Sequence, residues 1–129
     1  MAKPIFVFGS NTAGIHGAGA AQYAYNKKGA RFGHGYGPSG ESWAIPTKDD
    51  NIHSLPLDLI NCFVAGFLAY ATCKRKMKFF VTRIGCGLAG YTDAQITPMF
   101  IGAPKNCMFD RAWEPWLGKD YTYFDYEEK

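Results

Sequence analysis

The chain has 129 residues and a formal net charge of +3, with 47% hydrophobic and 19% charged residues. A chain of this length folds around a single core, so we predict one domain over residues 1–129. The apolar content excludes a disordered chain, and the 15 glycines, which follow no period, exclude a helical bundle and collagen. The small positive surplus does not indicate a nucleic-acid partner.

The first half of the chain alternates strand and helix patterns. Residues 5–8 form a short apolar run, which predicts a buried strand. Small and apolar residues recur at helical spacing over residues 14–28, which predicts a helix. The glycine-rich segment 31–40 predicts a loop, and residues 42–45 predict a second strand that Pro46 ends.

The second half continues this alternation. The predicted elements are a helix over residues 56–72, a strand over 79–82, a glycine loop over 85–90, a helix over 92–100 capped by Thr92, and a strand over 106–109. The acidic, tyrosine-rich tail over residues 118–129 is a candidate edge strand. Strands that alternate with helices predict an α/β fold with a mixed, largely parallel sheet flanked by helices.

The sequence predicts no membrane partner and no export. The longest apolar run, residues 59–73, is shorter than the about 20 residues that span a bilayer. No secretory signal precedes the first strand, and the four cysteines form no CxxC pair, so we expect reduced thiols in the cytoplasm. The three histidines lack metal-ligand spacing, so neither a metal site nor a cofactor is expected.

Two glycine loops carry the strongest indication of function. Residues 9–19 and 85–90 each follow a predicted strand and precede a helix, so both should lie at the carboxyl edge of the sheet, where ligands bind in such folds. Glycines let the backbone approach a ligand, and a helix N-terminus offers free N–H groups to an anion. The alternative is that the glycines only allow helix and strand to pack closely. Two such loops together favour a nucleotide or diphosphate site.

These motifs resemble those of the macrodomain family. The resemblance rests on Asn11 with its glycine loop, then Ile45-Pro46-Thr47-Lys48, then Thr82-Arg83-Ile84-Gly85-Cys86-Gly87-Leu88. It covers roughly residues 5–101 and looks closest to the glycohydrolase branch that removes ADP-ribose from acidic side chains. Similar small proteins occur in bacterial and phage genomes. The resemblance implies a three-layer macrodomain-like fold and an ADP-ribose site.

The resemblance also implies which residues contact the ligand. In the family the first loop and its asparagine hold the distal ribose, and the second loop wraps the diphosphate. The candidate ligand-binding residues are Gly9, Ser10, Asn11, His16, Gly17, Ala18, Gly19, Thr47, Lys48, Ile84, Gly85, Cys86, Gly87, Leu88, Ala89, Gly90 and Tyr91. The family's adenine-binding aspartate follows a strand that would precede residue 1, so the resemblance assigns no residue of this sequence to the base.

Three residues are candidates for catalysis. The resemblance implies that Lys48 attacks the distal ribose, and Asp93 is the carboxylate nearest to Ala89, where the branch has its acid/base aspartate. His16 lies near a predicted helix N-terminus and is a candidate general base or ribose contact. Each has an alternative role: Lys48 as an exposed loop lysine, Asp93 as a first-turn helix carboxylate, and His16 as a capping or packing residue. Cys86 is favoured as a small residue in a tight turn over a nucleophile.

Three functions follow from these candidates. The first is an ADP-ribose-binding protein that also hydrolyses an adduct, as an ADP-ribosyl glycohydrolase or ADP-ribose phosphatase does. The second is a non-catalytic module that sequesters a nucleotide signal, as a phage counter-defence protein would. The third, an RNA-binding domain, is disfavoured by the weak basic surplus and the lack of a stacking motif.

Overall fold

Strands and helices alternate along residues 3–125, the part of the chain that the computed structural model describes. The strands are β1 (Ile5–Asn11), β2 (Gly37–Ser39), β3 (Ser42–Lys48), β4 (Phe79–Val81), β5 (Cys107–Asp110) and β6 (Thr122–Phe124). The α-helices are α1 (Gly19–Lys27), α2 (Leu57–Cys73), α3 (Asp93–Ile96) and α4 (Glu114–Leu117). Short 3₁₀ turns are formed by Thr97–Phe100, Arg111–Trp113 and Gly118–Asp120.

The six strands form one mixed sheet in the order β2-β3-β1-β4-β5-β6. All neighbouring strands are parallel except β2 and β3, which form an antiparallel hairpin. A largely parallel sheet is covered on both faces, because its crossover connections place helices there. The predicted α/β fold with a mixed, largely parallel sheet is confirmed.

Helices cover both faces of this sheet. On one face, α1 packs its alanines against Phe6 and Phe8 of β1. On the opposite face, Val7 joins α2 and the buried Trp113 in a larger apolar cluster. Because successive strand residues point to opposite faces, β1 supplies side chains to both clusters. The domain therefore has three layers, with the central strands buried between them.

The C-terminal tail contributes the edge strand that its sequence predicts. β6 pairs in parallel with β5, with Tyr123 opposite Phe109. Phe124 stacks on Phe80 with ring centroids 4.5 Å apart, which fastens the edge strand to the sheet. Residues 126–129 of the predicted tail lie outside the described residues.

Helix α1 begins later than the sequence pattern predicts. The side-chain oxygen of Asn11 accepts from the Ile15 N–H at 3.0 Å, and its nitrogen donates to the Ile15 carbonyl at 2.7 Å. Gly14 has φ +72°, and a Cβ there would lie 2.5 Å from the carbonyl carbon of Gly33. The predicted helix start at residue 14 is therefore wrong, since these local bonds replace helical ones.

Strand β3 runs past Pro46 to Lys48, so the predicted strand end at Pro46 is wrong. The register of β1 against β3 shifts between Ser10, which lies opposite Pro46, and Asn11. Such an irregularity accommodates a proline, which has no N–H to donate. The longer strand carries Thr47 and Lys48 to the carboxyl edge of the sheet.

Two other predicted elements differ in detail. Part of the predicted loop over residues 31–40 pairs with β3 as strand β2. The predicted helix over residues 92–100 becomes a 3₁₀ turn at Thr97, next to Pro98. Its cap is confirmed, because the Thr92 hydroxyl oxygen accepts from the Gln95 N–H at 3.2 Å and the Gln95 side chain accepts from the Thr92 N–H.

Within residues 3–125 no helix is long and apolar enough to cross a membrane. All four cysteines are free, with Cys62 and Cys73 exposed and Cys107 buried. No cluster of histidine, cysteine or acidic side chains in this part of the chain is placed to hold a metal ion.

Candidate functional site

The two glycine loops line one cleft of about 690 Å³ at the carboxyl edge of the sheet. The first loop connects β1 to α1 and the second follows β4, which lies next to β1. A Cβ added to Gly9 would lie 3.5 Å from Thr47 Oγ1 and 3.6 Å from the Gly85 nitrogen, so the ends of β1, β3 and β4 meet closely. The structure thus brings the loops together, as the strand-loop-helix pattern predicts.

Most residues implied by the macrodomain resemblance line this cleft. They are Gly9, Ser10, Asn11, Gly17, Ala18, Gly19, Thr47, Lys48, Ile84, Gly85, Cys86, Gly87, Leu88 and Ala89. Four predicted site residues do not line it, namely His16, Gly90, Tyr91 and Asp93. The cleft also contains residues that were not predicted as site residues: Ile15, Ala20, Ala21, Ile52, Thr82, Arg83 and Asp110.

Helix α1 points an uncapped N-terminus at the cleft. Its N-cap residue, Ala18, has no side chain that could accept from the first amides, and the first turn holds no acidic residue. The N–H groups of Gly19, Ala20 and Ala21 have no acceptor among the described residues. A helix N-terminus carries a partial positive charge, so these amides have the chemistry that favours an anion.

The second loop also presents backbone N–H groups without an acceptor. It is curled by bonds from the Gly90 N–H to the Gly87 carbonyl at 3.0 Å and from the Tyr91 N–H to the Gly85 carbonyl at 2.9 Å. The N–H groups of residues 87–89 find no acceptor within the described part of the chain. Two rows of unpaired amides, one on each loop, therefore line the same cleft.

Contacts from neighbouring segments fix the shape of this second loop. The Ser54 hydroxyl donates to the Ala89 carbonyl at 2.6 Å, and the Tyr91 hydroxyl donates to the Leu55 carbonyl at 2.5 Å. Gly85 has φ +78°, and a Cβ there would lie 3.0 Å from Ile96 Cδ1. A larger residue at this position would be strained, so glycine is required. Gly90 and Tyr91 shape the loop from outside the cleft.

Cys86 is a poor nucleophile in this setting. Burial raises the pKa of its thiol to about 12. Its sulfur lies 3.6 Å from the Ile84 carbonyl, to which the thiol donates. Because the thiolate is the reactive form, a thiol that stays protonated at neutral pH attacks slowly. The structure agrees with the interpretation of Cys86 as a small residue in a tight turn.

Lys48 lies in the cleft, half-buried at the end of β3. The two carboxylates that follow it in sequence bond elsewhere. Asp49 accepts from the N–H groups two and four residues further on, both at 2.9 Å, and Asp50 accepts from the Thr12 hydroxyl. Within residues 3–125 Lys48 forms no ion pair. Its ammonium is available to a bound anion.

Asp93 lies outside the cleft in a bonded cluster. Arg83 donates to both of its oxygens at 2.9 Å, and Trp113 Nε1 donates to one of them at 2.8 Å. Partial burial alone would raise the pKa of Asp93, but these bonds outweigh it and the pKa is lowered. This placement favours the alternative interpretation of Asp93 as a structural carboxylate.

His16 is 1% exposed and packs between aromatic rings, with its centroid 5.4 Å from that of Phe8 and 5.8 Å from that of Phe32. Its Nε2 donates to the Arg31 carbonyl at 2.8 Å. Burial lowers the pKa of the ring, although the bond to Arg31 partly opposes this. The packing alternative is the one that this placement favours.

Asp110 is a cleft residue that the sequence analysis missed. It ends β5, and its Oδ1 accepts from the Ala112 N–H at 3.0 Å. Two strands, β1 and β4, separate β5 from β3, so Asp110 lies about 14 Å along the edge from Lys48 at about 4.8 Å per strand. Asp110 directly follows the predicted strand over residues 106–109, and this position could have indicated a site residue.

Three exposed aliphatic side chains also line the cleft, those of Ile15, Ile52 and Leu88. Ile52 has φ +64° and is the one described residue other than glycine with a positive φ. A β-branched residue is strained in this conformation. A turn holds it there, in which the Ile52 N–H donates to the Asp49 carbonyl at 3.0 Å.

Comparison with known proteins bears on the fold. No protein-family model matches the chain, and no curated protein sequence does. A solved structure of a protein of unknown function from Bacteroides thetaiotaomicron is similar, with a TM-score of 0.55 and 14% identity over 80% of this chain and 82% of that one. At this identity the similarity concerns the fold alone.

Proposed function

We propose that this protein binds ADP-ribose or a related nucleotide, with the diphosphate held between the two glycine loops. The observation that carries the proposal is the pair of unpaired amide rows, Gly19–Ala21 on α1 and Gly87–Ala89 on the second loop, that line one cleft. Backbone amides and a helix N-terminus bind phosphate without a metal or a dedicated side chain. The ammonium of Lys48 adds a positive charge on the same side.

The size and lining of the cleft support a nucleotide over inorganic phosphate. A volume of about 690 Å³ is of the size that small-molecule ligands occupy. Aliphatic side chains at Ile15, Ile52 and Leu88 offer apolar contact to a base or sugar face. The macrodomain resemblance assigns the distal ribose to the first loop, which adds the expectation of a second ribose. Because the Asn11 amide bonds to the Ile15 backbone, its part in this contact is to shape the loop.

Calorimetric titration of the purified protein with ADP-ribose tests this proposal, with AMP and NAD as controls. We expect micromolar affinity for ADP-ribose and much weaker binding of AMP, which lacks the second phosphate and ribose. NAD separates recognition of the diphosphate from recognition of a free distal ribose, because its distal ribose is substituted. No heat with any of the three would overturn the proposal.

Hydrolysis of an ADP-ribose adduct is a second candidate function, which the position of Lys48 in the cleft favours, because its amine could attack the ribose there once it has lost its proton. Against it, Asp93 and His16 lie outside the cleft and Asp110 lies at the far end of the sheet edge. A lysine nucleophile needs an adjacent general base, or surroundings that lower its pKa. Binding without turnover is therefore the first expectation, as in a module that sequesters a nucleotide signal in the cytoplasm.

The variant Lys48→Ala separates these two functions. If the protein is a hydrolase, Lys48→Ala loses release of ADP-ribose from a mono-ADP-ribosylated protein but retains most ADP-ribose binding. Lys48→Arg, which keeps the charge but not the nucleophile, should then behave like Lys48→Ala in turnover and like the wild type in binding. Absence of turnover in the wild type, together with ADP-ribose binding, identifies the protein as a binding module.

A further inference from the structure

The amino edge of the sheet, opposite the cleft, collects most of the positive charge. We define the basic edge as the segments 3–4, 27–29, 40–42, 74–78, 104–106 and 118–120, which precede strands or end helices. They contain nine lysine and arginine residues and two carboxylates, whereas the rest of the sequence contains five and nine. The net charge of +3 is therefore the sum of a charge of +7 on this edge and −4 in the rest of the sequence.

Hydrogen bonds join these segments across the sheet. On the β3 side, the Glu41 N–H donates to the Lys28 carbonyl and the Phe6 N–H donates to the Glu41 carbonyl. In the centre, the Ile5 N–H donates to the Lys78 carbonyl and the Phe79 N–H donates to the Asn106 carbonyl. Asn106 Nδ2 also donates to the Lys74 carbonyl, and Lys105 Nζ donates to the Asp120 carbonyl. These bonds hold the segments next to one another along one edge of the sheet, and their cations share that edge.

Most cations of the basic edge can contact a partner, whereas Lys105 Nζ donates to the Asp120 carbonyl and lies 4.6 Å from the Tyr121 ring centroid. Eight of the nine are exposed, and Lys28 is half-buried. None of them forms an ion pair with any residue in the range 3–125. Helix dipoles favour Lys27, Lys28 and Lys74, which lie where α1 and α2 end. They do not account for the cations that precede β1, β4, β5 and β6.

We propose that the basic edge binds the phosphate backbone of double-stranded nucleic acid. From β3 to β5 the edge extends about 14 Å, with the ends of α1 and α2 on either side, so it can contact several phosphates at once. Its segments contain no aromatic residue, and the nearby Tyr70 and Tyr121 are half-buried and contact Lys74 and Lys105. Proteins that bind single strands instead use exposed aromatic rings for stacking. Phosphate contact alone requires only the cations.

The composition of the basic edge also favours a nucleic-acid duplex over a lipid membrane as its partner. Binding at a lipid surface combines cations with apolar side chains that enter the headgroup region. Met77, the one large apolar residue in the six segments, is half-buried against the main core cluster. A bound duplex would leave the cleft open on the opposite edge. The proposal therefore stands independently of the nucleotide ligand.

Fluorescence anisotropy with a labelled DNA duplex tests this proposal. We expect wild-type affinity to fall by about 100-fold or more between about 50 and 200 mM salt, as four or more phosphate contacts require. The variant Lys74→Gln/Lys76→Gln/Lys78→Gln, which alters three exposed side chains, should bind more weakly and reduce the slope of log K against log salt by about 2 to 3.

The matched control is Asn61→Asp/Ala65→Glu/Ala94→Glu. It makes the same change in net charge at exposed helix positions away from the basic edge, and it should bind the duplex almost as the wild type does. Circular dichroism melting establishes that both variants are folded. Equal weakening by the control, or no duplex binding at low salt, would overturn the proposal. Binding to anionic lipid vesicles but not to the duplex would overturn it in favour of a membrane partner.

Discussion

Ile52 holds a conformation that its side chain disfavours. Its φ of +64° suits glycine or asparagine, yet the chain places a β-branched residue there, 47% exposed and in the cleft. Strained residues persist where the surrounding structure fixes them and often coincide with functional sites. We interpret the side chain as an apolar contact for the ligand, which accounts for its retention despite the strain.

The variant Ile52→Asn separates strain from contact. Asparagine tolerates a positive φ, so we expect the free energy of unfolding to rise by about 1 kcal/mol. ADP-ribose affinity should fall, because the aliphatic contact is lost. The control Leu88→Asn removes an exposed aliphatic from the same cleft without relieving a positive φ, so it should weaken binding without stabilisation. Unchanged affinity in Ile52→Asn would contradict the interpretation.

His16 makes the stability of the protein depend on pH. Burial lowers its pKa, so between that value and about 6.5 the unfolded chain binds a proton that the folded protein does not. Stability should therefore fall as the pH drops below about 6.5. Thermal melting from about pH 7.5 to 5.5 measures this slope, and His16→Gln should flatten it. An equally steep slope in the variant would show that another group is responsible.

The roles of single residues were harder to predict from the sequence than the secondary structure was. Asp93 and His16 have suitable chemistry for catalysis and lie close in sequence to the glycine loops, but Trp113 and Phe32 engage them outside the cleft. Those partners come from distant segments and could not be identified from local patterns. Asp110 was missed for the converse reason, since only the strand order brings it to the cleft.

At the scale of elements, the uncapped N-terminus of α1 leads to a direct test of anion binding. The variant Ala20→Asp places a carboxylate in the first turn, where the helix dipole favours it, so stability should not fall. ADP-ribose affinity should decrease by about tenfold or more, because the new charge repels the diphosphate. The neutral, similarly shaped Ala20→Asn controls for size. Equal affinities for the two variants, measured by calorimetry, would argue against an anion at this helix end.

The elements themselves follow well from local pattern, and their ends do not. The apolar run at residues 5–8 and the stripe along residues 56–72 predicted β1 and α2, because burial on a sheet or helix face imposes those periods. The start of α1 was wrong because Asn11 binds the following loop, and the end of β3 was wrong because a bulge admits Pro46. Both causes are long-range or side-chain specific.

At the scale of the whole molecule, strand order gives the edges of the sheet their different characters. The order β3-β1-β4 places Lys48 and both glycine loops side by side, although they lie far apart in sequence. The same order gathers basic residues from five short segments on the opposite edge. The loops could be predicted to converge, since each follows a strand. The charge segregation could not, because no single segment reveals it.

We propose that the amide rows Gly19–Ala21 and Gly87–Ala89 together hold a diphosphate. Amide chemical-shift mapping during titration with ADP-ribose tests it most directly, and a chain of 14.3 kDa suits the method. We predict that the largest shifts fall on these two rows together, with AMP as the weaker control. Shifts on one row alone, shifts confined to other residues, or none at all would contradict the account.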